Sequence, residues 1–470
     1  MRRTWAVARN MVAEAVRMKI ALVLLIVLVA VIPIGPFVWE GDGTLKGRVQ
    51  TFLTYSTTLV VVVLSILTVF VACQSLSKEV SEHQIYTIAS KPLPRWQFIF
   101  GKWLGMCLLN GMLLTACGLA IYLFAKYLDL LPAPWLEKAA LRYEVLTARQ
   151  GVLPPVPDFT EVVEQRYEGL KKSGRLSKEE QTEEGAKRLK AEFHREARTQ
   201  WRTIPPSERK TWVFEGLRPG PKCDYVHIRY KMQATPLPPR MQVDSVWLIG
   251  DLSEPGNGPI PRTDSINQWH YFPVSSRLVR PDGTLWVTFV NRPIDELNQA
   301  VSQGQNRSTV AFEEPDGLEV LYEVGSFEGN FVRSMLLIFA WLMPLAALGL
   351  FAGSFLSFPV GSLLCSSVLV ASALADFVRE SLYWVSERPN PQQDPLDYFS
   401  WMFKPFIQAV IHGVPQLGRY SPIDLLADGR VITWGSVAAG VGMMVLLQAA
   451  LYLVLSIVIF SRRELAEVTV

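Results

Sequence analysis

The apolar residues of this chain fall into long runs, separated by one short and one very long polar region. A run of about 20 apolar residues is long enough to cross a bilayer as an α-helix. The runs predict six transmembrane helices, at residues 20–40, 54–76, 98–126, 332–357, 359–376 and 434–460. The fold expected from this pattern is a polytopic α-helical membrane protein, with an N-terminal membrane part (1–126) and a C-terminal one (331–470).

The long polar region, residues 127–330, changes its pattern part-way. Residues 133–201 are rich in Glu, Lys, Arg and Ala, a composition typical of solvated helices. Residues 211–325 instead alternate between apolar and polar positions, which predicts half-buried strands in YVHIRYKM, VDSVWLI, WHYFPV and LWVTFVN. TVAFEEPDGLEVLYEV predicts two more strands, joined through Pro-Asp-Gly. We therefore expect a large α+β domain that contains a β-sandwich.

Charge placement predicts the orientation of the helices. The chain has 46 Lys and Arg against 43 Asp and Glu, so its net charge of +3 says little by itself, and no nucleic-acid partner is expected. Short cytoplasmic flanks of membrane helices are enriched in Lys and Arg. Such residues lie in three places. Before the first span are Arg2, Arg3, Arg9, Arg17 and Lys19, between the second and third are Lys78, Lys91, Arg95 and Lys102, and after the sixth are Arg462 and Arg463. Both termini are therefore expected in the cytoplasm, and residues 127–330 and 377–432 on the outer side of the cell (inner) membrane.

Two segments beside the spans leave alternatives open. Residues 4–18 have apolar positions at helical spacing, which predicts either an interfacial helix or a cytoplasmic extension of the first span. Residues 377–432 are amphipathic and interrupted by Pro and Gly. A crossing at 398–417 would place the C-terminus outside, against the positive charges that follow the last span. A re-entrant or an interfacial segment is therefore expected there.

The sequence contains no recognisable catalytic or metal motif. Four of the five cysteines lie in predicted spans, so residues 127–330, with Cys223 alone, cannot hold an internal disulfide. A phosphate-binding loop needs a Gly-rich stretch before its Gly-Lys pair, but Trp96 and other bulky residues precede Gly101-Lys102 and Trp103 follows. We therefore expect neither an enzyme nor a cofactor site in this chain.

The short polar region between the second and third predicted spans, the coupling segment 77–97, carries an ordered set of residues. Glu79 or Glu82 is followed by Thr87, the turn Ser90-Lys91-Pro92, Arg95 and then Gly101-Lys102. This order resembles the corresponding segment of ABC-2 type transporter permeases. The resemblance extends to three further stretches, SFLSFPVG (354–361), PQLGRYSPIDLLADGRVITW (415–434) and FSRREL (460–465).

The resemblance implies how such a chain would work. In these permeases the segment docks on a cytoplasmic ABC ATPase subunit and transmits its closure to the membrane helices. The implied coupling residues are Glu79, Glu82, His83, Thr87, Lys91 and Arg95. ATP and Mg would bind to the partner subunit, and the permease would act as a homodimer or pair with a similar permease of a bacterial ABC transporter. An apolar interior with few charges suits a lipid-linked or amphipathic substrate.

The region 127–330 departs from the family, in which many members have a short loop at this point. Its size favours a second function, a mechanotransmission complex in which ATP hydrolysis inside drives an envelope partner outside. A third possibility is a membrane-anchored sensor or scaffold without an ATPase.

Overall fold

The computed structural model describes residues 2–17, 19–35, 43–81, 94–177, 182–220, 223–250, 258–292, 308–312, 317–384, 402–405, 407 and 421–462. The chain divides into two compact units. The helical unit comprises Met1–Ala148 and Gly325–Val470, and the sandwich unit comprises Arg149–Val324. The sandwich unit thus begins later than residue 127, the start expected for the large polar region.

The described chain begins and ends with helices, and its strands all lie between Thr147 and Ser326. Five helices come first, α1 (Arg2–Arg17), α2 (Ile20–Val31), α3 (Leu45–Ser81), α4 (Arg95–Leu130) and α5 (Trp135–Glu144). The sandwich unit adds β1 (Thr147–Val152), α6 (Thr160–Lys172), α7 (Glu183–Arg202), β2 (Thr203–Ile204), β3 (Arg209–Phe214), β4 (Tyr225–Thr235), β5 (Gln242–Ile249), β6 (Ile260–Ser265), β7 (Trp269–Ser275), β8 (Leu285–Val290), β9 (Thr309–Phe312) and β10 (Leu318–Ser326). The chain continues with α8 (Phe327–Gly353), α9 (Phe358–Trp384), α10 (Ile423–Ala427), α11 (Trp434–Val441), a π-helical stretch (Gly442–Ala449) and α12 (Ala450–Arg462).

Five helices of the described chain are long and apolar enough to cross a membrane, at Leu45–Glu79, Arg95–Leu130, Phe327–Gly353, Phe358–Ala375 and Trp434–Arg462. They coincide with the second to sixth predicted spans. The first predicted span, 20–40, is represented by Leu22–Ile34, which joins α1 at a bend of 65°. The bent pair would make a sixth span if it crosses as one. The helical unit is therefore compatible with a membrane protein of five or six spans.

Close packing between α8 and α3 organises the core of the helical unit. A Cβ atom at Gly349 would lie 2.7 Å from Cβ of Ala72, and one at Gly353 would lie 2.7 Å from the carbonyl oxygen of Cys73. Small residues let the backbones of membrane helices approach this closely. Contacts within one chain therefore account for both of these glycines.

The sandwich unit contains two antiparallel sheets that share one core. One sheet has the order β1-β10-β4-β9-β2 with β7 also paired to β4, and the other has the order β3-β8-β5-β6. Trp247 of the second sheet lies at the centre of the core, with its ring 4.6 Å from that of Tyr230 and 5.4 Å from that of Phe272 in the first. The alternating segments thus form strands, and their apolar faces meet between two layers.

The two strands joined through Pro-Asp-Gly do not pair with each other. β9 pairs antiparallel with residues 232–235 of β4, and β10 pairs antiparallel with residues 227–230 of the same strand. Both therefore run in the same direction beside one neighbour, and β4 is long enough to hold both.

The predicted helical region 133–201 is shared between the two units. Leu141 and Val145, at the end of α5, are buried in the core of the helical unit. The helices α6 and α7 belong to the sandwich unit and pack on each other through Val163, Tyr167 and Phe193. Most of the predicted re-entrant or interfacial segment, including 398–417 apart from residues 402–405 and 407, lies outside the described residues.

Candidate coupling site

The last turn of α3 and the first turns of α4 are joined by a buried ion pair. Nζ of Lys102 lies 2.9 Å from Oε2 of Glu79 and donates a hydrogen bond of 2.9 Å to the carbonyl oxygen of Ser75. The Lys102 side chain is only 3 % exposed. A buried charge is costly unless it is paired and hydrogen-bonded. The pair therefore fixes how these two helices meet on either side of residues 82–93.

Arg95 joins the start of α4 to the end of α12. Its Nη1 donates to the carbonyl oxygens of Phe460, at 2.9 Å, and Ser461, at 2.7 Å. The last four carbonyls of a helix have no partner within the helix, and a cation near them is stabilising. Phe98, one turn after Arg95, stacks on Phe460 with ring centroids 6.0 Å apart. The stretch FSRREL thus begins beside Arg95.

The turn between α8 and α9 reaches the same end of the helical unit. Ser77 Oγ donates to the carbonyl oxygen of Leu356 at 3.1 Å and lies 3.5 Å from that of Gly353. Cys73 Sγ lies 3.9 Å from the carbonyl oxygen of Phe358. The segment SFLSFPVG is thereby attached to the last turns of α3.

The N-terminal helix α1 packs against the beginning of α4 at two glycines. A Cβ atom at Gly101 would lie 2.8 Å from Cβ of Val7, and one at Gly105 would lie 2.7 Å from the carbonyl oxygen of Ala8. No larger residue fits at these positions without moving α1. The predicted N-terminal helix is therefore present and held directly by the Gly-Lys region of α4.

We call this end of the helical unit the coupling end, defined by α1, Ser75–Ser81, Arg95–Gly105, Gly353–Phe358 and Phe460–Arg462. Its described charged residues are mostly basic, with Glu14 and Glu79 as the acidic ones, whereas the opposite end of the helices contains matched pairs. Lys126 lies 2.7 Å from Glu328 there, and Arg142 lies 3.2 Å from Asp129. Among the described charged residues, the coupling end thus carries an excess of positive charge. The basic residues of the coupling end and its vicinity are Arg2, Arg3, Arg9, Arg17, Lys19, Lys78, Arg95, Lys102 and Arg462.

The structure describes two of the six predicted coupling residues. Glu79 is buried and faces Lys102, and Arg95 lies at the coupling end with its guanidinium on α12. The remaining four, Glu82, His83, Thr87 and Lys91, lie outside the described residues. The structure therefore brings two of the six to one place and leaves the docking face of the segment a prediction.

The fourth stretch of the resemblance, at 415–434, lies at the opposite end as far as it is described. Nδ2 of Asn330 donates to the carbonyl oxygen of Arg430 at 2.7 Å, and the Ile432 N–H donates to Oδ1 of Asn330 at 2.8 Å. Arg333 Nη1 donates to the carbonyl oxygen of Ile432 at 2.7 Å. This stretch fixes the entry into the last helix instead of contributing to the coupling end.

The sequence pointed to Gly101-Lys102 but not to the partners of these residues. Lys102 lies inside an apolar run, where an ionisable side chain needs a partner. An acidic partner such as Glu79 could have been predicted from this position of Lys102. Ser77 and Gly105 gave no signal, since hydroxyls and glycines are common in membrane helices.

Comparison of the chain with models of known protein families, with curated proteins and with solved structures found no match. Among the described residues, no group of three or more His, Cys, Asp or Glu side chains could hold a metal ion. The functional argument therefore rests on the residues and their arrangement.

Proposed function

We propose that this chain is the membrane subunit of a bacterial ABC transporter of the ABC-2 type. It moves or extracts a lipid-linked or amphipathic substrate, with ATP hydrolysed by a separate cytoplasmic ATPase subunit. The N- and C-termini and the coupling end face the cytoplasm, the sandwich unit faces outward from the inner membrane, and the bent pair α1–α2 supplies a sixth span. Two permease chains, alike or similar, act with the ATPase.

One observation supports this proposal above the others. Three stretches that resemble the family are far apart in the chain, yet Lys102, Leu356 and Ser461 all belong to the coupling end. The same end carries the excess of basic residues, which favours a cytoplasmic position. A partner that displaced the segment between α3 and α4 would act on Glu79 and Arg95, and through them on α4 and α12. Such an end is suited to transmit force from a cytoplasmic subunit to several helices at once.

The proposal is tested by purifying the tagged full-length chain from its own cells in a mild detergent. We expect a soluble ATPase chain in stoichiometric amount, with Mg-dependent ATP hydrolysis that follows the tag. Replacing Glu82 and His83 with Ala should lower the recovered ATPase, whereas replacing Glu328 with Ala, at the opposite end, should not. Recovery of the chain without any ATPase would instead favour a sensor or scaffold.

A second function, mechanotransmission, is favoured by the sandwich unit. It is a compact unit with its own core, larger than a connection between two spans requires. In that case ATP hydrolysis would proceed without substrate flux, and the sandwich unit would act on an envelope partner. Deleting residues 149–324 and measuring ATP hydrolysis and flux in vesicles separates the two functions. A transporter would retain ATP-dependent substrate flux after the deletion. A mechanotransmission complex would show no substrate flux either before or after the deletion.

A further inference from the structure

The short helix α5 presents an apolar face to its surroundings. Trp135, Leu136 and Tyr143 are 79 %, 65 % and 48 % exposed, and at about 3.6 residues per turn they fall within an arc of about 100°. Leu141 and Val145 lie roughly opposite this arc, in the core of the helical unit. α5 is therefore apolar on two faces, and within the described part of the chain only one of them is covered.

The two ends of α5 are held at the start of α3. Glu137 Oε2 accepts a hydrogen bond of 3.1 Å from the Leu45 N–H, and the Glu144 carboxylate forms an ion pair with Lys46. The two acidic residues are about 10 Å apart along α5, whereas their partners are consecutive. α5 therefore lies across the start of α3 instead of continuing parallel to it. A Cβ atom at Gly429 would lie 2.5 Å from the carbonyl oxygen of Glu144, so the segment after α10 also packs on the end of α5.

Exposed aromatic residues mark the level of α5 along the helical unit. Trp5 and Trp96 are exposed at the coupling end, and Tyr127 is exposed near the other end of α4. Trp96 and Tyr127 are about 46 Å apart along this one continuous helix, at about 1.5 Å per residue. A bilayer with its headgroup regions is about 40–45 Å thick, and Trp and Tyr are enriched at both of its surfaces. Tyr127 thus marks a membrane surface, and α5 begins shortly after it, at Trp135.

The charged residues that border the exposed face are basic. Lys138 and Arg142 are the other two charged residues of α5, and both lie within about 60° of the apolar arc. We propose that α5 is an interfacial helix that binds phospholipid in the leaflet opposite the coupling end. Its apolar face enters the boundary between headgroups and acyl chains, and Lys138 and Arg142 lie at the level of the lipid phosphates. α5 thus differs from the solvated helices expected for residues 133–201, and its lipid surface does not require an ATPase partner.

The test uses the full-length chain alone, reconstituted in vesicles of phosphatidylglycerol and phosphatidylcholine. A photoreactive amino acid replaces Leu136 in one variant and Val162 in another, and lipid adducts are measured by mass spectrometry after illumination. Val162 is the matched control, because it is 58 % exposed but lies on α6 beside the exposed charged residues Glu161 and Glu164. We expect about tenfold more lipid adduct from position 136 than from position 162, the ratio that burial of one large apolar side chain in lipid provides.

Two further variants connect the adducts to the face of α5. The photoreactive residue in place of Tyr143, on the same face, should give as much lipid adduct as at position 136. Adding Lys138→Gln should lower the ratio of phosphatidylglycerol to phosphatidylcholine in the adduct from position 136 about fivefold, because a cation near the surface attracts anionic lipid. Equal lipid adducts from positions 136 and 162 would overturn the proposal, as would an unchanged lipid ratio in Lys138→Gln or an adduct from position 136 mainly with a second copy of the chain. None of these results bears on ATPase coupling, since no ATPase is present.

Discussion

Lys102 and Glu79 form an ion pair inside the helical unit, with Nζ and Oε2 2.9 Å apart and side chains 3 % and 12 % exposed. The pair spans the base of the coupling segment, because Glu79 lies in the last turn of α3 and Lys102 lies about two turns into α4. Glu79 is therefore better understood as a positioning residue than as a docking contact. In the proposed complex, we expect the ATPase to contact the coupling segment beyond Glu79, where Glu82, His83, Thr87 and Lys91 were predicted to dock.

Removing one member of this pair should destabilise the helical unit. Lys102→Met leaves the Glu79 carboxylate buried without its cation, and we expect a loss of about 3 kcal/mol in the free energy of unfolding. Thermal melting of the purified full-length chain measures the effect. The double variant Glu79→Gln with Lys102→Met should recover part of the loss. A single variant as stable as the wild type would show that the pair does not hold the helices together.

The contact between α1 and α4 can be tested at Gly105. Its absent Cβ would lie 2.7 Å from the carbonyl oxygen of Ala8, so Gly105→Val should displace α1. Arg9 is already exposed, and we expect the displaced α1 to unfold locally and to be cleaved faster by trypsin at Arg9. Gly442→Val is the matched control, because a Cβ at Gly442 has no atom within 4 Å. The rate of cleavage at Arg9 in detergent is the measurement. Equal rates in both variants would contradict the packing of α1 on α4.

The sequence predicted the long apolar helices well because a run of about 20 apolar residues is the length that crosses a bilayer. Each of the last five predicted spans overlaps one candidate span. Two helices extend beyond their predicted spans at polar residues that find partners: α3 begins at Leu45, next to Lys46, which pairs with Glu144, and α4 continues to Leu130, past Asp129, which pairs with Arg142. The first predicted span, 20–40, is helical over its described part, and residues 36–40 lie outside the described residues. Lys19, with a positive φ of 58°, separates α1 from α2.

Within the sandwich unit, strands could be predicted from alternation, but their neighbours could not. β1 was missed, since Thr147–Val152 lacks a regular apolar alternation. The burial of the second face of β4, which carries Arg229, was also not predicted. Arg229 was expected to face solvent, yet it is buried and donates a hydrogen bond of 2.5 Å to Glu319 on β10. A pairing between residues so distant in the chain depends on the order of the strands in the sheet, and the local sequence pattern does not reveal that order.

The core of the sandwich unit should reject a charge on its inner face. Val287 and Phe289 are fully buried on β8, whereas Thr288 between them bonds Thr211 on the opposite, more exposed face. In the isolated unit 149–324 we expect Val287→Asp or Phe289→Asp to abolish a cooperative melt followed by circular dichroism. Thr288→Asp should still melt cooperatively. Similar melts for all three variants would rule out the shared core.

Tyr230 should make the sandwich unit sensitive to alkali. Burial, and then its hydrogen bond to the Asp264 carboxylate, raise the pKa of the Tyr230 hydroxyl, which also accepts a hydrogen bond of 2.8 Å from Arg262. Because the native pKa is above the unfolded one, the unfolded state loses this proton first. Stability is therefore full below about pH 10 and falls as the pH rises above it.

Melting of the isolated unit 149–324 between about pH 8 and 11 measures this dependence. Tyr230→Phe should be less stable at pH 8, because Asp264 loses one hydrogen-bond donor and keeps only Arg262 among the donors at its two oxygens, but it should lose less stability on going to pH 11. Tyr225→Phe is the control, since Tyr225 is 50 % exposed. If Tyr230→Phe loses as much stability as the wild type between pH 8 and 11, groups other than Tyr230 cause the alkaline loss.

The central claim is that a cytoplasmic ATPase docks at the coupling end, and photo-crosslinking in intact cells tests it most directly. A photoreactive amino acid replaces Glu82 in one variant of the full-length chain and Trp135, which is 79 % exposed at the opposite end, in another. We expect the first variant to give an adduct with an ATP-hydrolysing chain and the second to give none with that chain. An adduct with the ATPase from position 135, or none from position 82 in a correctly inserted chain, would contradict the account.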